Sequence, residues 1–368
     1  MREIILISFL GPDQPNQFTR LMQVLSAHSL QILDVGQAVI HNQLTLGIVV
    51  ASEDQTATAL AMKEILILAH DIGLTVRFKP ISATEYDQWV KEGGRTRYIV
   101  TALAPELNAS HLQAVTQIVS AQGFNIETVT RLSGRPALDG HSSGPKRACV
   151  EFGLKGQMLD AAAMRAACLR LSTELNVDVA VQEDNAYRRN RRLVCFDMDS
   201  TLIEQEVIDE LAIEAGVGAQ VAEITERAMQ GELDFQQSFR ARVALLKGMD
   251  ASVLPKIAER LTITEGAERL ISTLKALGYR TAILSGGFQY FAEYLQSKLD
   301  IDEVHANALD VQDGVVTGEV KGHIVDGARK AFLLGEIAQE MGISLEQTIA
   351  VGDGANDLPM LSIAGLGV

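Results

Sequence analysis

The sequence predicts an α/β protein: a doubly wound parallel sheet in the second half, preceded by two smaller βαββαβ units. Three observations carry this. The first half runs through one order of strand and helix segments twice, with matching residues. From Arg192 onward, short apolar strands alternate with helical segments, as parallel strands joined by crossovers do. Three of those strands run straight into clusters of small, acidic or hydroxyl residues, and ligands of open α/β sheets bind at the carboxyl ends of strands.

The first unit opens with the β-branched run Ile4–Leu10 and the turn Gly11-Pro12-Asp13-Gln14-Pro15-Asn16. Phe18, Leu21, Met22 and Leu25 then recur at helical spacing. Strands over Ile32–Ile40 and Leu44–Ala51, a helix over Ala57–Leu68 and a strand near Thr75–Pro80 complete the ferredoxin-like split βαβ order. The second unit repeats it: strand Tyr98–Leu103, helix His111–Ala121, strands Asn125–Leu132 and Ala148–Leu154, helix Ala161–Leu175 and strand Val177–Val181. Leu25–Ile32 and Val119–Ile126 match in pattern, so the half reads as an internal duplication. Ser133–Lys146, rich in Gly, Pro and Ser, reads as an exposed hairpin loop. Arg188-Arg189-Asn190-Arg191-Arg192 marks the border, as a solvated linker or a contact to an acidic face of the next domain. Beyond it come a buried strand Leu193–Phe196, helical segments over Val207–Leu261, a helix Ala267–Leu277 and a strand Arg280–Leu284. A helix from Phe288, a strand-rich patch Ala306–Val320, a helix from Ala328 and a strand Thr348–Val351 complete the order. The expected domains are 1–85, 96–184 and 190–368.

Composition narrows the function. Of the 368 residues 47% are hydrophobic and 21% charged, enough to pack a core. A net charge of −15 sets the chain against phosphate backbones and anionic membranes, so neither nucleic acid nor membrane is an expected partner. No apolar run approaches the ~20 residues of a membrane span. Cys149, Cys168 and Cys195 form no CxxC pair and no complete disulfide framework, which fits a reducing cytoplasm. The Met1–Ile5 start reads as a strand and not as a signal peptide.

Phe196-Asp197-Met198-Asp199-Ser200-Thr201 follows the first buried strand. Two carboxylates flanking one residue repel unless a cation lies between them or they do different jobs. A second acidic cluster, Gly352-Asp353-Gly354-Ala355-Asn356-Asp357, follows the last strand. An Asp-Gly turn alone is common. Together with the first pair, Asp353 and Asp357 supply the hard oxygen ligands that suit Mg²⁺. Between them, Leu284-Ser285-Gly286-Gly287-Phe288 places a hydroxyl and free backbone N–H groups at a helix start, an anion site in the making. Lys330 could add positive charge there, although a lone lysine usually lies on the surface.

In this order, Asp-x-Asp-x-Thr, Ser-Gly-Gly, Lys and Gly-Asp-Gly-x-Asn-Asp resemble the haloacid dehalogenase superfamily of phosphotransferases. Asp197–Ile203, Ser285–Phe288 and Gly352–Asp357 resemble its phosphoserine phosphatases in particular, over Arg192 to the end of the chain. The duplicated first half resembles a tandem pair of ACT domains, small amino-acid-sensing modules. The resemblance implies a fold with a helical cap over about 205–270 and hydrolysis of phosphoserine to serine, the last step of serine synthesis. It implies Asp197 as nucleophile and Asp199 as acid and base. Mg²⁺ would be held by Asp197, the main-chain carbonyl of Asp199 and Asp353, supported by Asp357 and Asn356. Ser285, Gly286 and Lys330 would hold the phosphate. In the cap, Arg242 would take the substrate carboxylate and Glu206 its ammonium. Met229 and Phe235 would exclude water. For the first half it implies an amino-acid effector and a homodimer through the ACT copies.

The chain departs from the family at two places. ACT effector sites often begin Gly-x-Asp-x-Pro-Gly, whereas Asn16 follows Pro15 here, and Ala104-Pro105-Glu106-Leu107-Asn108 in the second copy lacks the motif. An effector is therefore least expected at the second copy. At Gly365–Val368 the family would continue with a further strand and helix, so either the chain is cut short there or an edge of the sheet is missing.

Overall fold

The structure is a computed structural model that describes residues 2–94, 96–135 and 147–368. The expected hairpin loop at Ser133–Lys146 falls mostly outside the described residues. The chain divides into two compact units, Met1–Thr96 and Arg97–Val368.

In the first unit, alternation along the strands decides the layers. Strand β1 (Glu3–Pro12), helix α1 (Gln17–Ala27), strands β2 (Gln31–Ile40) and β3 (Gln43–Ser52), helix α2 (Gln55–Asp71) and strand β4 (Thr75–Ile81) form one antiparallel sheet, ordered β2-β3-β1-β4. Ile5, Ile7 and Phe9 of β1 pair with Val50, Ile48 and Leu46 of β3, and all six are buried under Leu21 and Leu25 of α1 and Ala61 and Ile65 of α2. Asp54 caps α2 by accepting from Thr56 and Ala57 N–H. The loop after β1, where the effector motif was sought, is closed by the protein's own side chain. Buried Gln17 donates to Pro12 O (3.1 Å) and Ile72 O (3.2 Å) and accepts from Gln14 N–H (3.0 Å). A helix that the sequence reading missed, α3 (Ala83–Glu92), follows β4.

The second unit opens with β5 (Arg97–Ala104), α4 (Ala109–Ala121), β6 (Asn125–Arg131), β7 (Ala148–Lys155), α5 (Ala161–Leu175) and β8 (Asp178–Glu183). Their sheet order, β6-β7-β5-β8, repeats that of the first copy strand for strand. The arginine-rich border does not behave as expected. Arg188 pairs with Glu151 and Asp184 of the preceding copy, not with the domain that follows. Arg191 is buried and bonds backbone: it donates to Arg188 O (3.0 Å) and Gly365 O (3.2 Å), and to Gln182 Oε1 (3.3 Å). The reason is local, because carbonyls left over at a domain junction need donors once water is excluded.

The remainder starts with β9 (Leu193–Phe196), followed by a cap of α6 (Val207–Glu214), α7 (Gly218–Met229), α8 (Phe235–Ala244) and α9 (Leu254–Arg260). Then come α10 (Ala267–Ala276), β10 (Arg280–Phe288), α11 (Gln289–Leu299), β11 (Glu303–Gln312), β12 (Val315–Lys321), α12 (Gly327–Glu340), β13 (Thr348–Val351), α13 (Leu358–Ile363) and β14 (Leu366–Gly367). The six-stranded sheet is ordered β12-β11-β10-β9-β13-β14, parallel except for β12. The four residues of β9 show why it is doubly wound. Val194 and Phe196 pack with Ile271 of α10 and Phe291 and Leu295 of α11. Leu193 and Cys195 pack with Leu333 and Leu334 of α12 and Met360 of α13. A strand covered on both faces must be apolar throughout, as this one is. Near the end of the described chain, Leu366 and Gly367 form the short strand β14 beside β13. Among the described residues, no helix is long and apolar enough to cross a membrane.

Candidate active site

The central strands β10, β9 and β13 are neighbours, so the three motifs that follow them meet at one end of the sheet. They line a cavity of about 140 Å³, roofed by the cap. Asp197, Asp199, Gly286, Asp353 and Asn356 lie on its core side, and Glu206, Phe235 and Arg242 on its cap side.

Asp197 is buried at the end of β9. Its Oδ1 accepts from Met198 N–H (2.7 Å) and pairs with Lys330 Nζ (2.9 Å), while Oδ2 has no hydrogen-bond partner among the described residues. Burial raises its pKa to about 6, with Asp357 pushing the same way and Lys330 opposing. Lys330 is fully buried and also bonds Asp357 Oδ1 (2.6 Å), so it is no surface lysine. Carboxylate oxygens of Asp197, Asp353 and Asp357 all lie within 4.8 Å of one another. Oxygen donors at that spacing, two of them anchored by a lysine, fit a hard divalent cation. Thr201 Oγ1 donates to Asp353 Oδ1 (2.7 Å), tying the exposed carboxylate to the loop after β9.

The Asp199 side chain stands apart from that acidic group. Its Oδ1 accepts from Val207 N–H (3.0 Å) at the start of α6. Burial, and then the nearby charge of Glu206, holds the Asp199 carboxyl well above the usual carboxylate range. A neutral carboxyl is a proton donor, the state that a general acid needs. Room for it exists because residue 287 is glycine: a Cβ there would come within 2.4 Å of Asp199 Oδ2. At Gly286 a Cβ would come within 2.9 Å of the Phe235 ring, so the cap seats directly on this turn.

Ser200 takes the left-handed conformation (φ 54°), which costs a residue with a Cβ roughly 1–2 kcal/mol. The turn aims its hydroxyl at Glu206 Oε1 (2.8 Å). Glu206 stands at the N-cap of α6, yet its side chain makes no capping bond, so its carboxylate is free to face the cavity. Arg242 of α8 lines the same cavity. It has no hydrogen-bond or ion-pair partner among the described residues, and its Nε is buried without one. Burial lowers its pKa, against the pull of Asp209, Glu206 and Asp199.

Two expected residues sit differently. Met229, at the C-terminal end of α7, is 85% exposed and does not line the cavity. Successive helix residues turn by about 100°, and Met229 lies eight places, hence about 80°, from the buried Val221. Ser285 is buried beneath the turn, where its Oγ accepts from Gly287 N–H (2.8 Å). Three residues went unassigned in the sequence reading: Thr201, Ser200 and Asn307. Buried Asn307 donates to Gly286 O (2.7 Å) and accepts from Val325 N–H (2.8 Å), fixing the turn from below. An Asn inside the β11 strand pattern was the available signal, because a buried amide there must serve a backbone.

Comparisons with known proteins identify the family. A family model described as haloacid dehalogenase-like hydrolase matches residues 194–362, and an ACT domain model matches residues 3–79. Phosphoserine phosphatase SerB2 of Mycobacterium tuberculosis is 38% identical over 365 residues, 99% of this chain and 86% of that protein. A phosphoserine phosphatase of Streptomyces coelicolor is 39% identical over 370 residues, 99% and 85% of the two. The crystal structure of a probable phosphoserine phosphatase from Vibrio cholerae superposes with a TM-score of 0.53 at 32% identity, covering 75% of this chain and 78% of that one. The chain belongs to the phosphoserine phosphatase family of haloacid dehalogenase-like hydrolases, with two ACT-like units ahead of the hydrolase domain.

Proposed function

We infer that the protein hydrolyses O-phospho-L-serine to L-serine and phosphate, the last step of serine synthesis, with Mg²⁺ as its metal. The observation that carries this reading is that Arg242 and Glu206 line the same cavity as Asp197. A guanidinium without a partner and a carboxylate facing the cavity match the two charges of an amino acid. A substrate without those charges needs neither.

In the reaction, Asp197 Oδ2 attacks phosphorus in line and forms an aspartyl phosphate as the bond to the serine oxygen breaks. Asp199 gives its proton to that oxygen, which would leave poorly as an alkoxide. Serine departs, and Asp199, now a carboxylate, takes a proton from the water that attacks the aspartyl phosphate. Ser285, Gly286 and Lys330 hold the phosphate: Lys330 and the Gly286 N–H offset charge on the phosphoryl oxygens, and Ser285 braces the turn by accepting from Gly287 N–H. Asp197, Asp353 and the main-chain carbonyl of Asp199 would hold Mg²⁺, with Asp357 and Asn356 behind them. The metal would neutralise the phosphate and the Asp197 carboxylate. Phe235, stacked on Phe239, keeps water from the closed site. The boundaries 1–85, 96–184 and 190–368, an amino-acid effector at the first ACT-like unit, pairing into a homodimer and a cytoplasmic setting belong to the same reading. The free cysteines support a reducing compartment.

Phosphate release from phosphoserine in the presence of Mg²⁺ tests the reading. Turnover should disappear with EDTA and in Asp197→Asn. Activity that survives both changes would refute the metal and the covalent step.

A further inference from the structure

The cap touches the core through one side-chain hydrogen bond that the chemistry above does not use. Gln236, in the first turn of α8, donates from Nε2 to Asp326 Oδ2 at 2.6 Å. Among the described residues, Val207 N–H on Asp199 Oδ1 is the other bond of helices α6–α9 to a core side chain. The acceptor of the Gln236 bond has a second task. Asp326 is the N-cap of α12, and its Oδ1 accepts from Arg329 N–H at 2.9 Å. Lys330 follows in the same turn, with its N–H on Asp326 O (2.8 Å) and its Nζ on Asp197 and Asp357. One carboxylate thus holds the helix that carries the phosphate-facing lysine with one oxygen and the closed cap with the other.

The neighbouring contacts fit a latch. Phe235, one residue before Gln236, rests on the Gly286 turn, and a Cβ at 286 would also meet Val325 O at 3.4 Å. The bond lies beside the Gly286 turn, which Phe235 and Val325 O both approach, and on α8, the helix that also presents Arg242. Gln236 itself is exposed, and the capping box at the start of α8 uses Asp234 and Gln237. The amide of Gln236 is therefore not needed to form the helix.

We propose that Gln236 is a positioning residue, a latch whose bond to Asp326 holds the cap shut over bound substrate and ties cap closure to the Lys330 helix. For its substrate the proposal rests on the reading given above; for the latch itself it does not. A charge-assisted donor keeps its partner's geometry, whereas a carboxylate at 236 would repel Asp326. Gln236→Ala should raise KM for phosphoserine about tenfold, the loss of one hydrogen bond to a charged group, and leave kcat within about twofold. Gln236→Glu should raise it further, and Gln236→Lys should restore it to near the wild-type value. Hydrogen exchange gives a readout that needs no turnover. Amides of Phe235–Ala244 should exchange faster in Gln236→Glu than in the wild type, and Gln236→Lys should match the wild type. Full-length protein serves for both measurements. Unchanged exchange and KM in Gln236→Glu, or a Gln236→Lys variant as impaired as Gln236→Ala, would overturn the latch. If the exchange pattern holds in a protein that does not hydrolyse phosphoserine, the latch stands and the substrate assignment falls.

Discussion

Asp199 shows what two carboxylates one residue apart are for. Asp197 is pinned by Lys330 and a backbone N–H, and burial and then Glu206 hold the Asp199 carboxyl well above the usual carboxylate range. That division has a cost that can be measured. Because its pKa in the fold lies well above that in the unfolded chain, the folded protein keeps a proton that the unfolded chain releases near pH 4. Stability of the metal-free protein should therefore fall as pH rises from about 4 towards the folded value. Asn cannot ionise and still offers an oxygen to Val207 N–H. Asp199→Asn should thus lower kcat by ~10²–10⁴ while raising the melting temperature at pH 7 and not at pH 4. Thermal melts at the two pH values check the sign, and a variant less stable than wild type at pH 7 would contradict it. The motif residues were legible in the sequence because each follows an apolar strand directly. The holding residues were not: nothing in the order of residues says that Ser200 turns left-handed to meet Glu206, or that Thr201 reaches Asp353 across 152 positions.

At the scale of elements, the alternation of buried residues gave the strands, and the doubly wound sheet follows from runs that are apolar on both faces. The ends of elements were harder. Helix α3 was missed although Ser82 and Glu85 form a capping box and Tyr86, Trp89 and Val90 recur at helical spacing; it is short, and none of its residues is buried. Met229 was placed by resemblance, and the helix phase turns it to solvent. Asn307 marks where two elements depend on a third: strand β11 supports both the Gly286 turn in the last residues of β10 and the Val325 segment before α12. Asn307→Ala would leave a carbonyl and an N–H without their partner, each worth about 1–3 kcal/mol when buried. The variant should melt earlier and bind phosphate less tightly, as seen in calorimetry and in KM. An unchanged KM would show that the turn holds itself.

For the whole molecule, the duplication was legible because it repeats both pattern and topology, β6-β7-β5-β8 after β2-β3-β1-β4. The junction was not, since a run of arginines reads as solvated until its carbonyl partners are known. Arg191 joins Gln182 and Arg188 of the second ACT-like unit to Gly365, beside the sheet edge β14. Arg191→Ala should cost about 2 kcal/mol, or a melting temperature lower by roughly 4–8 °C, with kcat/KM at 25 °C little changed. The central claim concerns which phosphate ester this assembly selects, and it is tested by kcat/KM for phosphoserine and for phosphoethanolamine, in wild type and in Arg242→Ala, with Mg²⁺. Removing one partner of a buried charged contact costs ~2–5 kcal/mol, so the variant should lose about 30-fold or more on phosphoserine. On phosphoethanolamine, which lacks the carboxylate, it should lose little. Equal losses on both esters, or a wild type that does not distinguish them, would contradict the account.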